Sequence, residues 1–282
     1  MNRKNFPFLA GRPTKSAPSA GHLNSERAFT LAELIVVLAV LAVFGGLLLP
    51  ALAATHDRGS RAVCQYNLRQ IAVAATQYAA ENNDYVFPGA GNHVPVQFQV
   101  SQMVASEIGL TTNRPSIWTC PNLPGFPLPP PPYRNQWVIG YQYYGGITNW
   151  MNNVGYTPSA SPVKLSQSKS YWMLAADTIV QIVQPRSGSF LWYDPSGISG
   201  WANLPAHHTA DTMVPQGGNE VFCDGSVQWI DIHKMYFLHS WHDGSDGIRY
   251  FYFYQDLTGD ATWGRYVPQL IRAGVSPASG PF

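Results

Sequence analysis

The stretch AFTLAELIVVL, residues 28–38, decides the fold, because it joins a polar leader to a long apolar run. One acidic side chain, that of Glu33, lies just inside the run, and the 21 residues from 34 to 54 carry no charge. At about 1.5 Å per helical residue, such a segment reaches roughly 31 Å, enough to cross the hydrocarbon core of a bilayer. A carboxylate near its edge costs free energy on insertion. The sequence therefore predicts a membrane helix whose one acid has a specific use.

Residues 1–28 predict a leader without a fold of its own. Its only acid is Glu26, and it is rich in Pro, Gly, Ser and Ala. Its five basic residues are Arg3, Lys4, Arg12, Lys15 and Arg27. Positive charge beside an apolar helix favours the cytoplasmic side of a membrane. We therefore expect a cytoplasmic N-terminus and a C-terminal domain on the other side.

The residues AFTLAELIVV, 28–37, resemble the cleavage and methylation signal of type IV prepilins and type II secretion pseudopilins. The resemblance implies that a prepilin peptidase cuts between Ala28 and Phe29 and that the new amine of Phe29 is methylated. Glu33 then becomes the fifth residue, the position at which a Glu guides assembly in that family. The residue before the cut is usually Gly in the family, and here it is Ala28.

The same region leaves two alternatives open. The triplet Ala51-Leu52-Ala53 after an apolar stretch has the shape of an ordinary secretory cleavage site, although the stretch is long for such a signal. That reading gives Glu33 no role. Glu33 itself has two interpretations: a charge that pairs with the amine of Phe29 in a fibre, or a cap on the first helical turn.

The helix is expected to continue past Pro50, with a bend there. The spacing of Cys64, Leu68, Ile71, Ala75 and Tyr78 predicts one apolar stripe that packs on a sheet. The helix should end near residues 82–84. The domain boundaries that follow are 1–28 for the leader, 29–54 for the membrane and assembly helix, 55–85 for its soluble half, and 86–282 for a globular domain.

The later segments alternate as strands do. Residues 171–176, 189–193 and 248–254 are candidate strands, and 220–230 predicts a hairpin with a two-residue type I′ turn at Asp224-Gly225. The seven prolines between 121 and 132 predict a surface connector outside the core. The expected fold class is α+β and pilin-like: a long N-terminal helix packed on an antiparallel sheet.

The hairpin region is similar to the C-terminal His…Asp-Gly motif of prepilin-like bacterial proteins. The matching residues are His208, Asn219, Asp224 and Gly225. Fifteen residues separate His208 from Asp224, which is longer than the spacing in that motif. The motifs CxxNLRQI at 64–71 and YxFP at 85–88 are also similar to sequences found in that group.

Cysteine and acidic residues offer weaker candidates. Outside the cytoplasm Cys120 and Cys223 could form a disulfide, and the alternative is three free thiols. The segment 243–247, with Asp243 and Asp246, resembles part of a calcium loop, but it lacks the later bidentate acid. Five histidines between 207 and 242 lack the spacing of a known zinc motif. No cofactor is therefore expected, and a calcium ion at Asp243 and Asp246 stays open as the alternative.

Composition narrows the function. The net charge of +1 gives no indication of nucleic acid as a partner, and charged residues make up only 12% of the chain. The chain has no nucleophile-elbow, phosphate-loop or dinucleotide motif, so we expect no enzyme. The expectation is a structural subunit of a pilus-like fibre, held in the inner membrane before assembly with copies of itself or other pilin-like subunits. The alternative is a secreted or fibre-tip binding module, such as an adhesin that binds glycans.

Overall fold

The computed structural model describes residues 29–89, 99–130, 136–183, 190–192, 206–208, 214–242, 248–253 and 261–272. The chain divides into two compact units, Met1–Ala51 and Leu52–Phe282. Each unit is described on its own.

The first unit contains the start of helix α1, which spans Leu31–Glu81. Its part from Leu31 to Leu48 is apolar and long enough to cross a membrane, judged by length and composition. None of these 18 residues is buried. A helix that is apolar on all sides is stable when lipid or other helices surround it.

The second unit combines the rest of α1 with short strands. The strands are β1 (Gln99–Ser101), β2 (Gln136–Val138), β3 (Tyr141–Tyr143), β4 (Asn149–Asn152), β5 (Gly155–Pro158), β6 (Met173–Asp177), β7 (Val180–Val183), β8 (Phe190–Leu191), β9 (Gly217–Phe222), β10 (Val227–Asp231), β11 (Tyr236–His242) and β12 (Ile248–Phe253). The short helices are α2 (Gln102–Ala105) and α3 (Ala261–Gly264), with 3-10 turns at Leu165–Gln167, Ile232–Lys234 and Val267–Gln269.

All pairings between these strands are antiparallel. One four-stranded sheet has the order β10-β9-β6-β3, a second has the order β11-β12-β7-β8, and β1-β2 and β4-β5 form two small ribbons. The expected α+β class is confirmed, and the candidate strands at 171–176, 189–193 and 248–254 correspond to β6, β8 and β12. The sequence did not indicate that two sheets would form.

The C-terminal half of α1 buries the stripe that its sequence predicts. Cys64, Leu68, Ile71 and Ala75 are fully buried. They belong to one core with Phe87, Trp118, Cys120, Tyr141, Tyr143, Leu174 and Val221. The residues of β3, β6 and β9 in that list show that the helix stripe and the first sheet share a core. Burial of this stripe therefore stabilises the helix in water.

The helix ends where the sequence predicts. Glu81 is its last residue, and Asn83 and Asp84 follow with φ angles of 53° and 71°. The backbone N–H of Asp84 donates to the carbonyl of Ala79 at 2.9 Å. Left-handed residues with such a bond are a common way to close a helix.

The hairpin of β9 and β10 is confirmed, but its predicted turn is wrong. Val227 pairs with Val221, so the loop is longer than two residues. Gly225 N–H donates to the carbonyl of Phe222 at 2.9 Å, and Phe222 N–H donates to the carbonyl of Ser226 at 3.0 Å. Gly225 has a φ of 78°, whereas Asp224 is not among the residues with positive φ. A type I′ turn needs positive φ at both central positions.

The proline-rich segment is also closer to the core than predicted. Leu123 and Phe126 lie in the main core, and Pro127 is buried. Leu128 forms two backbone hydrogen bonds with Val138. The apolar residues between the prolines therefore anchor this segment, which composition alone had indicated as a surface connector.

Burial of the helix stripe can be tested with a pair of substitutions on α1. Leu68→Ala removes a fully buried side chain and should lower the free energy of unfolding by about 2–5 kcal/mol. Val73→Ala alters an exposed position on the same helix and should change it by less than about 0.5 kcal/mol. Urea unfolding of the full chain in detergent, followed by tryptophan fluorescence, measures both. Equal effects of the two substitutions would contradict the assignment of the buried face.

Candidate functional site

The start of α1 is closed by a pair of side chains, Thr30 and Glu33. Thr30 N–H and Thr30 Oγ1 each donate to Glu33 Oε2 at 2.9 Å. In return, Glu33 N–H donates to Thr30 Oγ1 at 3.2 Å. This reciprocal arrangement is a capping box, in which an N-cap Thr and a Glu three residues later satisfy free N–H groups.

The capping box supports one of the two interpretations of Glu33. Thr30 lies directly before the first helical residue, and Phe29 before it is exposed. Glu33 therefore caps the helix in the uncleaved chain. Pairing between Glu33 and an amine on Phe29 stays a prediction, and Ala28 lies outside the described residues.

A second group of polar side chains is buried in the domain formed by Leu52–Phe282. Asp177 at the end of β6 and Asn219 on β9 are both fully buried. Oδ2 of Asp177 accepts hydrogen bonds from the backbone N–H of Asn219 at 2.7 Å and from its Nδ2 at 2.8 Å. His207 Nε2 lies 3.0 Å from the same oxygen. Three contacts therefore converge on one carboxylate oxygen.

Helix α1 contributes a thiol to this group. The sulfur of Cys64, a ring nitrogen of His207 and a carboxylate oxygen of Asp177 lie within 4.8 Å of one another, and all three residues are buried. Cys64 Sγ is also 3.6 Å from Cys120 Sγ. The hydrogen bond with Cys120, burial and the charge of Asp177 all raise the pKa of Cys64. A thiol held in its neutral form is the opposite of an activated nucleophile.

The other ring nitrogen of His207 faces a polar shell. Nδ1 lies 3.0 Å from Asn122 Nδ2 and 3.5 Å from Asp57 Oδ1. Asp57 Oδ2 is 2.7 Å from Arg61 Nε, and the Arg61 guanidinium lies 3.7 Å from the centre of the Trp229 ring. Burial lowers the pKa of His207, but the carboxylates of Asp177 and Asp57 outweigh it and leave that pKa raised.

The structure distributes the residues of the C-terminal motif over two places. Asn219 belongs to the buried group, whereas Asp224 and Gly225 form the hairpin turn, in which Asp224 Oδ1 accepts from Ser226 N–H at 2.8 Å. His208 is half-buried and forms an isolated bridge with Pro215. The histidine beside Asn219 is its neighbour His207. The role of His208 in the motif stays a prediction.

The sequence had not singled out His207, Asp177 or Cys64 as a group. They come from positions far apart in the chain, and no local spacing connects them. The sequence offered one signal for this group. The CxxN motif at 64–67 and the C-terminal motif that contains Asn219 both resemble the same group of prepilin-like proteins. The first motif supplies Cys64 to the buried cluster, and the second supplies Asn219. Asn67, also from the first motif, lies at the edge of the cluster and donates from Nδ2 to Tyr141 Oη at 2.9 Å.

The described cysteines carry no disulfide. Cys64, Cys120 and Cys223 are all free thiols, and the sulfur next to that of Cys120 belongs to Cys64. Burial raises the pKa of Cys223 to about 12. The structure gives no support to a bond between Cys120 and Cys223, which stays a prediction. The candidate calcium residues Asp243 and Asp246 lie outside the described residues.

Comparisons with known proteins bear on the N-terminal segment. No curated protein and no solved structure matches the chain. Residues 23–49 match the family described as the prokaryotic N-terminal methylation motif. The matched residues include Ala28, Phe29 and Glu33, and they extend through the whole exposed apolar segment Leu31–Leu48 of α1. Residues 23–49 of this chain therefore carry a type IV prepilin-like cleavage and methylation signal.

Proposed function

We propose that this chain is a structural subunit of a pilus-like fibre, built by a type IV pilus or a type II secretion system. The observation that carries the proposal is the match to the methylation motif at the start of an exposed apolar helix. That motif supports a precursor of the type IV pilin or pseudopilin kind. The chain's contribution is then mechanical, and no enzyme activity is part of the proposal.

Processing is the first step. A prepilin peptidase hydrolyses the bond between Ala28 and Phe29, which removes the basic leader and leaves Phe29 as the first residue. The amine of Phe29 then receives a methyl group. Since Phe29 directly precedes the N-cap Thr30, the new positive charge lies at the positive end of the helix dipole. A nearby carboxylate is therefore favourable, and Glu33 is the acid in the first turn.

Location follows from the same helix. Before assembly the chain crosses the inner membrane once, with the basic leader in the cytoplasm and residues 55–282 outside it. This topology is supported by the charge of the leader and by the 18-residue apolar segment Leu31–Leu48.

Assembly transfers the apolar helix from lipid to the helices of other subunits. Within residues 31–48 the large exposed apolar side chains include Leu34, Val37, Leu41 and Leu48, so they are available for such contacts. The soluble half of α1 adds Val63, Tyr66 and Val73, which are also exposed. Their spacing of three and seven residues places them on one side of the helix. Apolar residues left on one face favour contact with a neighbouring subunit.

Cleavage can be tested at the residue before the scissile bond. Ala28→Gly should be processed at least as well as the natural chain, because Gly is the usual residue there in the resembled family. Ala28→Glu should stay uncleaved, because a larger charged side chain must then be accommodated beside the apolar helix. Mass spectrometry of the N-terminus, in cells that contain the peptidase, measures both. A mature chain that begins after residue 53 or 54 instead would indicate ordinary signal cleavage and a secreted binding module.

Two substitutions separate the charge of Glu33 from its capping hydrogen bond. Glu33→Gln removes the charge, while a Gln at this position can still complete a capping box. Thr30→Val removes the hydroxyl that bonds Glu33 but keeps the carboxylate. If the carboxylate pairs with the amine of Phe29 in the fibre, Glu33→Gln should be cleaved but reduced at least about tenfold in sheared fibres, equivalent to about 1.4 kcal/mol. Thr30→Val should assemble much more fully.

The comparison requires equal cleavage of both variants, which the mature N-terminus reports. Quantified fractions of membrane-bound and sheared chain then give the assembly yield. The reverse pattern, normal assembly of Glu33→Gln and poor assembly of Thr30→Val, would refute the charge-pairing role and leave the capping role.

A further inference from the structure

The buried group around Asp177 contains polar atoms that lack hydrogen bonds. Among the residues that the structure describes, Asp177 Oδ1, His207 Nε2 and Asn219 Oδ1 have no hydrogen-bond partner. His207 Nε2 lies 3.0 Å from Asp177 Oδ2, but the two groups are not aligned as a hydrogen bond. Buried polar atoms in folded proteins are nearly always satisfied, so several exceptions in one place require an explanation.

We propose that Cys64, Asp177 and His207 bind one zinc ion. Their donor atoms, a sulfur, a carboxylate oxygen and an imidazole nitrogen, lie within 4.8 Å of one another. A set that includes a thiolate and an imidazole selects zinc over calcium or magnesium, which prefer oxygen ligands. The thiolate and the carboxylate together also balance the two positive charges of the ion, which a buried site requires.

The distances suit a tetrahedral ion after small movements. Zinc bonds of about 2.0–2.3 Å place two ligands of a tetrahedron roughly 3.3–3.8 Å apart. A fourth donor is available from Cys120, whose sulfur lies 3.6 Å from that of Cys64. Asp177 Oδ1 is free to bind, since the contacts of its carboxylate all go to Oδ2.

The surroundings of His207 resemble the outer shell of a metal site. A histidine that binds a metal usually donates its second ring N–H to a carboxylate or carbonyl group, which fixes the ring. His207 Nδ1 lies 3.5 Å from Asp57 Oδ1 and 3.0 Å from the side-chain amide of Asn122, which would turn its oxygen toward the ring N–H when the metal is bound. Asp57 is in turn held by Arg61 at 2.7 Å. Cys64, Asp177 and His207 belong to α1, β6 and a loop, so the ion would connect three distant segments of the chain.

Two simpler arrangements explain less. A disulfide between Cys64 and Cys120 would use the close sulfurs but leave the three unsatisfied atoms of Asp177, His207 and Asn219 unchanged. A plain ion pair between His207 and Asp177 leaves Asp177 Oδ1 buried without a partner. Zinc would provide a partner for Asp177 Oδ1 and His207 Nε2, and of the three atoms it would leave only Asn219 Oδ1 without one.

The first measurement uses the full chain, reduced and purified in detergent. Zinc titration followed by elemental analysis should give about one ion per chain. Cobalt in place of zinc should produce a thiolate-to-metal charge-transfer absorption, which reports a cysteine ligand. With free zinc near one hundred times the dissociation constant, the melting temperature should be about 5–10 °C higher than that of the same chain in a chelator.

Variants identify the ligands. Cys64→Ser should remove at least half of the charge-transfer absorption and weaken binding at least tenfold, and His207→Gln should weaken binding at least tenfold. Asp57→Asn, which alters the outer shell, should weaken it by about 10–100-fold. Cys223→Ser is the matched control, because Cys223 is a half-buried thiol outside the group and its loss should leave zinc binding unchanged.

Loss of folding in a variant does not affect the test on the natural chain. A natural chain that is folded and reduced but takes up no zinc or cobalt would overturn the proposal. It would also be overturned if the chain isolated from cells has a mass lower by two hydrogens and a bond between Cys64 and Cys120. Zinc binding that Cys223→Ser removes and Cys64→Ser preserves would overturn it as well.

Discussion

Helix α1 must satisfy two different surroundings along one run of hydrogen-bonded backbone. From Leu34 to Leu48 its side chains are apolar on every side and none is buried, which suits lipid or a helix bundle. From Cys64 to Ala75 only one stripe is apolar and buried, which suits a helix that lies on a water-soluble domain. The rest of the second unit depends on that stripe, since its main core contains helix and sheet residues together.

The same stripe explains why polar groups are buried here. Cys64 belongs to the stripe, and it meets the end of β6, where Asp177 is fully buried. Burial of an unpaired carboxylate costs several kcal/mol, so a folded chain tolerates it only with partners. Asn219 and His207 supply partners for one oxygen. The second oxygen is therefore the strongest indication that this group has a use beyond packing.

Periodicity predicted the parts of the fold that depend on neighbours in sequence. The helix stripe, the end of α1 and the β9–β10 hairpin all follow from residues within a few positions of one another. The predicted two-residue turn at Asp224-Gly225 was wrong, because loop length depends on strand register, which the sequence does not show. The prediction that the proline-rich segment lies outside the core was wrong for a similar reason. Leu123 and Phe126 are buried, and proline content does not show which neighbouring residues pack in the core. The buried cluster could not be predicted, because residues 64, 177 and 207 are far apart in sequence and come together only in the folded domain.

Magnitudes decide how the N-terminal acid should be understood. A capping box contributes about 1 kcal/mol, whereas a charged residue at the centre of a membrane helix costs about 2.5–3.5 kcal/mol and less toward its end. The bond between Thr30 and Glu33 can therefore offset much of the cost while the first turn stays near the membrane edge. In a packed bundle of apolar helices the Glu33 carboxylate is less accessible to water, so its burial costs more free energy than the capping bond supplies. Under the proposed function, the amine released on Phe29 supplies the positive charge that pairs with this carboxylate, and we therefore expect cleavage and assembly to be linked through Glu33.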